Sequence, residues 1–108
     1  MQKTSFPACS VELTLSLIGD KWKFLIVRDL LDGTKRFTEL KRSLGSISQK
    51  VLTSQLRLLE QNGIVHREVF AEVPPRVEYS LTEIGKTLSS VLDALEEWGD
   101  GYRSQYEK

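Results

Sequence analysis

The sequence predicts a mainly α-helical domain with a small β-hairpin. Three features lead there. Residues 47–63 read as a capped helix with one apolar and one polar face. Two stretches rich in β-branched and aromatic residues, 64–70 and 76–81, flank the pair Pro74-Pro75. Apolar residues at helical spacing run through 10–31 and again from 82 onward. A polar-faced helix followed directly by a two-stranded hairpin is the order of a winged helix-turn-helix.

The elements follow in turn. Residues 10–18 put Val11, Leu15 and Ile18 on one helical face, widened by Leu13 and Leu17, before Gly19-Asp20 ends that helix and opens the next. Residues 21–31 carry Trp22, Leu25, Ile26, Leu30 and Leu31 and close at Asp32-Gly33. Residues 38–44 form a short helix with Leu40 and Leu44 inward, ended by Gly45. Ser48 is placed to cap the next helix, and Asn62-Gly63 supplies its stop. Within it Leu52, Leu56 and Leu59 point inward, while Gln49, Lys50, Thr53, Ser54 and Arg57 form an outer face with no carboxylate until Glu60. The prolines at 74 and 75 interrupt strand pairing and make the tip of a wing. Thr82 caps a last long helix bearing Ile84, Leu88, Val91, Leu92, Leu95 and Trp98, with Gly99 and Gly101 loosening its end. The expected division of a single 1–108 domain is therefore 37–61 for the helix-turn-helix and 64–81 for the wing. Outer helices at 9–19 and 82–104 complete it.

With 108 residues and one cysteine, the chain forms a single small core and no internal disulfide. Residues 1–8 lack the apolar stretch of a signal peptide, and no run is apolar enough to cross a bilayer, so the cytoplasm is expected. No nucleophile–base spacing or phosphate loop suggests an enzyme, and one histidine, His66, with one cysteine gives no metal spacing. No cofactor is expected. The formal net charge is zero, yet it is unevenly distributed. Between Lys35 and Arg76 stand eight cations (35, 36, 41, 42, 50, 57, 67, 76) against Glu39, Glu60, Glu68 and Glu72. That segment is net positive by four, and Glu83, Asp93, Glu96, Glu97 and Asp100 gather near the C-terminus. A basic segment coinciding with the polar helix is the electrostatic footprint of a nucleic-acid reader.

The outer helices hold more apolar residues than one small core absorbs. Leu13, Leu17, Leu88, Leu95, Trp98 and Tyr102 are expected at a subunit interface, the alternative being a larger intramolecular core. A twofold homodimer suits a palindromic operator.

Four blocks carry a family resemblance. They are Cys9 with Leu17-Ile18-Gly19-Asp20-Lys21-Trp22; Arg36-Phe37-Thr38-Glu39-Leu40; Ile47-Ser48-Gln49-Lys50-Val51-Leu52-Thr53; and Val73-Pro74-Pro75-Arg76-Val77-Glu78-Tyr79-Ser80-Leu81-Thr82. In this order the chain resembles the HxlR-type bacterial winged-helix regulators, relatives of the MarR-like regulators, over nearly its whole length. The resemblance implies a dimeric DNA-binding repressor or activator. Some members respond to oxidants or electrophiles through an N-terminal cysteine.

Candidate site residues follow. Gln49 and Thr53 suit base edges and Lys50 and Arg57 suit phosphates, the alternative being a merely solvated helix face, and Ser48 caps the helix whose first amides face the backbone. Arg76 either enters a minor groove or pairs with Glu72 or Glu78. Pro74 and Pro75 pre-order the tip that carries it. Lys35, Arg36, Lys41 and Arg42 are either phosphate contacts or ordinary solvated charges. Cys9, at a helix start, is either a thiolate sensor or a small apolar residue. Trp22 and Trp98 belong to core or interface. The function expected is a sequence-specific transcriptional regulator, a homodimer on an inverted-repeat DNA operator with an oxidant or small-molecule effector as a candidate partner. The alternative is a winged helix used only for protein–protein contact.

Overall fold

The structure, a computed structural model, describes residues 5–107. Residues 1–4 and 108 of the expected domain, with half of the stretch read for a leader, lie outside the described residues. The order is α1 (Ser10–Ile18), α2 (Lys21–Leu31), β1 (Lys35–Arg36), α3 (Phe37–Leu44), α4 (Gln49–Gln61), β2 (Val65–Phe70), β3 (Arg76–Leu81), α5 (Glu83–Lys86) and α6 (Ser89–Tyr106). The strands form one antiparallel sheet in the order β1-β3-β2. Among the described residues no helix is long and apolar enough to cross a membrane.

The core is built around α2, which packs against α3, α4, β3 and α6. Ile26, Val27 and Leu30 of α2 meet Leu40 and Leu44 of α3, and Leu52, Leu56 and Leu59 of α4. Val65, Tyr79 and Leu81 bring the root of the hairpin into the same cluster. From Val65 outward β2 leaves the core, so the far end of the wing stands in solvent.

Local chemistry sets the ends of α4. Ser48 Oγ accepts a hydrogen bond from the Val51 amide at 3.1 Å. At the other end the Ile64 amide donates to Leu59 O and the Gly63 amide to Glu60 O. These two bonds with Gly63 at φ 77° make a Schellman stop, and Leu59 and Ile64 are buried together beneath it. The turn is then tied to the next element. Thr82 Oγ1 donates to Gly63 O at 2.6 Å and accepts from the Gly85 amide at 3.0 Å.

Several expectations need correction. The last helix is not continuous: α5 ends at Lys86, and the Thr87 and Leu88 amides turn back to Ile84 O and Gly85 O. Gly85 sits so close to the Ile64 carbonyl that an added Cβ would collide with it, which anchors this first turn separately from α6. Gly99 and Gly101 do not loosen α6, which runs on to Tyr106. Lys35 and Arg36, read only as charges, form a strand by pairing with Tyr79 and Glu78.

Asp20 caps α2 and makes a testable contribution. It accepts from the Lys23 amide at 3.0 Å and pairs with Lys23 Nζ at 2.8 Å. Burial pushes its carboxyl up, but the Lys23 hydrogen bonds and charge outweigh this and hold it below the usual carboxylate range. A depressed carboxylate stabilises the fold above its unfolded value, about pH 4, and that contribution fades as pH falls through the folded one. Asp20→Asn keeps a capping oxygen and loses the charge. It should unfold at lower denaturant than wild type at pH 7, with the gap closing below about pH 4; a gap independent of pH would contradict this origin.

Candidate nucleic-acid interface

Burial of three leucines along one side of α4 turns the other side to solvent. Gln49, Lys50, Thr53, Ser54 and Arg57 are all exposed and line one shallow depression on that face. Gln49 also borders a second depression with Phe37, Thr38, Lys41, Arg42 and Gly45. The start of α4 and the outer side of α3 are therefore continuous. Thr38, which borders this depression, was not among the expected site residues. Thr38 was legible, because it shares the i, i+3, i+4 face of Lys41 and Arg42. α3 itself is held at its start by Glu39, whose carboxylate accepts from the Arg36 amide at 2.8 Å.

The charges on this surface are free of partners. Among the ion pairs of the described residues, none involves Lys35, Arg36, Lys41, Arg42, Lys50, Arg57 or Arg67. Elsewhere Lys23, Arg28, Lys86 and Arg103 are each matched with a carboxylate. Unpaired cations on a polar face keep their field available to a polyanion. Lys35 and Arg42 are the weaker members, since they share a depression with Asp29, Asp32 and Glu39.

Arg76 differs from the rest. Nη2 lies 3.1 Å from Glu72, Nη1 lies 3.3 Å from Glu78, and the guanidinium stacks 4.0 Å from the Phe70 ring centre. Of its two readings, the ion pair is the one present, and it engages both carboxylates. Arg76 does not stand free at the wing tip.

Cys9 is a free, exposed thiol at the N-cap of α1, and its carbonyl accepts the Leu13 amide at 3.0 Å. The expected interface residues divide into two groups. Leu17 and Leu88 are half-buried and pack against the core, and Leu13 is half-buried. Leu95, Trp98 and Tyr102 are exposed, Trp98 by 71%, and α6 buries none of its residues fully. Trp98, Tyr102 and Tyr106 form a row in which Trp98 stacks on Tyr102 and Tyr102 tilts against Tyr106, with ring centres 5.5 and 4.8 Å apart. Trp22 is half-buried against the core, as expected of it.

The family model for HxlR-like helix-turn-helix proteins matches residues 17–107. The chain belongs to that family. It is 48% identical over 103 residues to the uncharacterised HTH-type transcriptional regulator YdeP of Bacillus subtilis (strain 168), covering 95% of this chain and 80% of the relative. The redox regulator HypR in its reduced form superposes with a TM-score of 0.86 at 52% identity, over 92% of this chain and 98% of that one. The reduced form of the transcriptional regulator YodB from B. subtilis gives a TM-score of 0.76 at 40% identity, over 94% and 97%. This HxlR-like chain is thus a winged helix-turn-helix transcriptional regulator, and the reading as a protein-contact module is not favoured.

Two variants separate the roles on α4. Lys50→Ala should weaken binding to any duplex and lower the slope of log K against log salt by about 0.9. Gln49→Ala should leave that slope alone and cost about 1–3 kcal/mol at a preferred site only. Equal losses on all sequences for Gln49→Ala, in a fluorescence anisotropy titration, would remove it from base reading.

Proposed function

We propose that two copies of this chain pair through α1 and α6 and read an inverted-repeat operator with one α4 in each of two successive major grooves. The observation that carries the DNA side is the unpaired cationic and amide face of α4 and α3. On it Gln49 and Thr53 meet base edges, Lys50 and Arg57 meet phosphates, and Lys41 and Arg36 extend the backbone contact. Lys35 and Arg42 add attraction at the margin. Ser48 acts by capping, which aims the first amides of α4 at a phosphate.

The pairing side is supported by the aromatic row Trp98, Tyr102 and Tyr106 with Leu95, together with exposed Val11 and Leu15 on α1. An apolar surface of that kind on a small domain marks an interaction site. Twofold pairing sets the two α4 helices about 34 Å apart, one turn of duplex. Such a protein works in the cytoplasm, on the chromosome. Whether it occludes a promoter or recruits polymerase depends on where its operator lies.

Cys9 supplies a regulatory input. It is a free, exposed thiol at the start of α1, and HypR, which superposes on this chain at 52% identity, is a redox regulator. With one cysteine per chain, disulfide formation joins Cys9 of two subunits. Two thiols then lose two protons and two electrons to the oxidant.

Sequencing the genomic fragments retained by the purified protein tests this reading. The expected result is one inverted repeat with half-site centres about one helical turn apart, released by diamide from wild type and held by Cys9→Ser. Retention of no preferred sequence would overturn the operator reading. Equal release of the Cys9→Ser variant would remove the thiol from the mechanism.

A further inference from the structure

Arg76 is the exception among the cations between Lys35 and Arg76: it alone there is matched, and matched twice. Its neighbours span the wing tip. Phe70 precedes the tip and pairs with Arg76 in the last rung of the β2–β3 ladder. Glu72 lies within the tip, and Glu78 lies beyond it on β3. One guanidinium therefore touches the chain before, inside and after the loop that carries Val73, Pro74 and Pro75. The side chain is 26% exposed, and its Nε is buried with no partner.

We propose that Arg76 is a positioning residue, a clasp that fixes the wing tip over the start of α3, and that the wing meets the DNA backbone through the tip's shape rather than through this charge. The inference rests on the DNA-reading role proposed above. Two carboxylates already neutralise this one guanidinium, so Arg76 has no free charge to offer a phosphate. To reach a groove, Arg76 would abandon both ion pairs and its stack on Phe70, leaving Glu72 and Glu78 uncompensated. As a clasp, the same contacts do useful work. The tip shares a groove with Arg36, Phe37 and Thr38, so holding its ends sets the spacing between wing and α3. Prolines fix the middle of the loop and the guanidinium fixes its two ends. A planar fork that bridges two carboxylates and stacks on an aromatic ring is a task that lysine cannot perform.

The test compares Arg76→Lys and Arg76→Gln with wild type in two ways. Amide order parameters of residues 71–73 are measured without DNA, and operator affinity is titrated against salt. The clasp predicts order near 0.85 in wild type and below about 0.6 in both variants. It also predicts an affinity loss of about tenfold for both, with the salt slope of Arg76→Lys unchanged from wild type. Wild-type affinity in Arg76→Lys would overturn the proposal, because a direct charge contact survives that change. An ordered tip in Arg76→Lys would overturn it too, as would a loosened tip that binds normally. Should Arg76→Lys fail to fold, Glu72→Gln opens only the tip side of the clasp and carries the same comparison. If wild type itself selects no operator, the operator reading fails while the order parameters still judge the clasp.

Discussion

Burial of Leu52, Leu56 and Leu59 against α2 sets the rotation of α4 about its own axis. A helix presents a new face every 100° or so per residue, so an error of one residue would turn Thr53 and Arg57 into the core in place of Leu52 and Leu56. Three fully buried leucines make that error expensive, at about 2–5 kcal/mol for each one displaced. The axial position is fixed as firmly by the Ser48 cap and by the Schellman stop at Gly63. Through Thr82, the same stop is bonded to the turn that starts the outer helices. Recognition face, hairpin and outer helices are thus indexed to one buried strip of leucine.

Electrostatics follows the same division. The chain is neutral in sum, and its carboxylates are distributed so that ion pairs form away from the reading face. Where carboxylates do occur between Lys35 and Arg76, several are occupied structurally. Glu39 caps α3, and Glu72 holds Arg76. The positive field is left on α3 and α4, where the duplex would lie. Neutrality limits non-specific attraction to nucleic acid and gives base contacts a larger share of the discrimination.

Much of this was legible in the residues. The α4 pattern, its two caps and the strand pair around Pro74-Pro75 depend on local chemistry, which a sequence displays. What was not legible depends on contacts distant in sequence. Lys35-Arg36 becomes a strand only because β3 lies beside it. The last helix is divided at Thr87-Leu88, and its first turn, α5, is packed through Gly85 against the Ile64 carbonyl, a neighbour 21 positions earlier in the sequence. Leu17 and Leu88 share the periodicity of Leu95 and Trp98, yet one pair joins the core and the other faces outward. Periodicity shows that a face is apolar, not what covers it. Arg76 carried two readings for a different reason: its partners Phe70, Glu72 and Glu78 are close in sequence, but only the hairpin's geometry shows that one guanidinium engages all three.

The central claim is that the outer face of α4 reads base edges in the major groove. The measurement that tests it most directly is affinity for the selected operator carrying 7-deaza-guanine and 7-deaza-adenine, one half-site position at a time. These bases lack the N7 acceptor in the major groove and leave pairing and the minor groove intact. The account predicts losses of about 1–3 kcal/mol at a few adjacent positions in each half-site, and no further loss at those positions in Gln49→Ala. Unchanged affinity at every substituted position would contradict it.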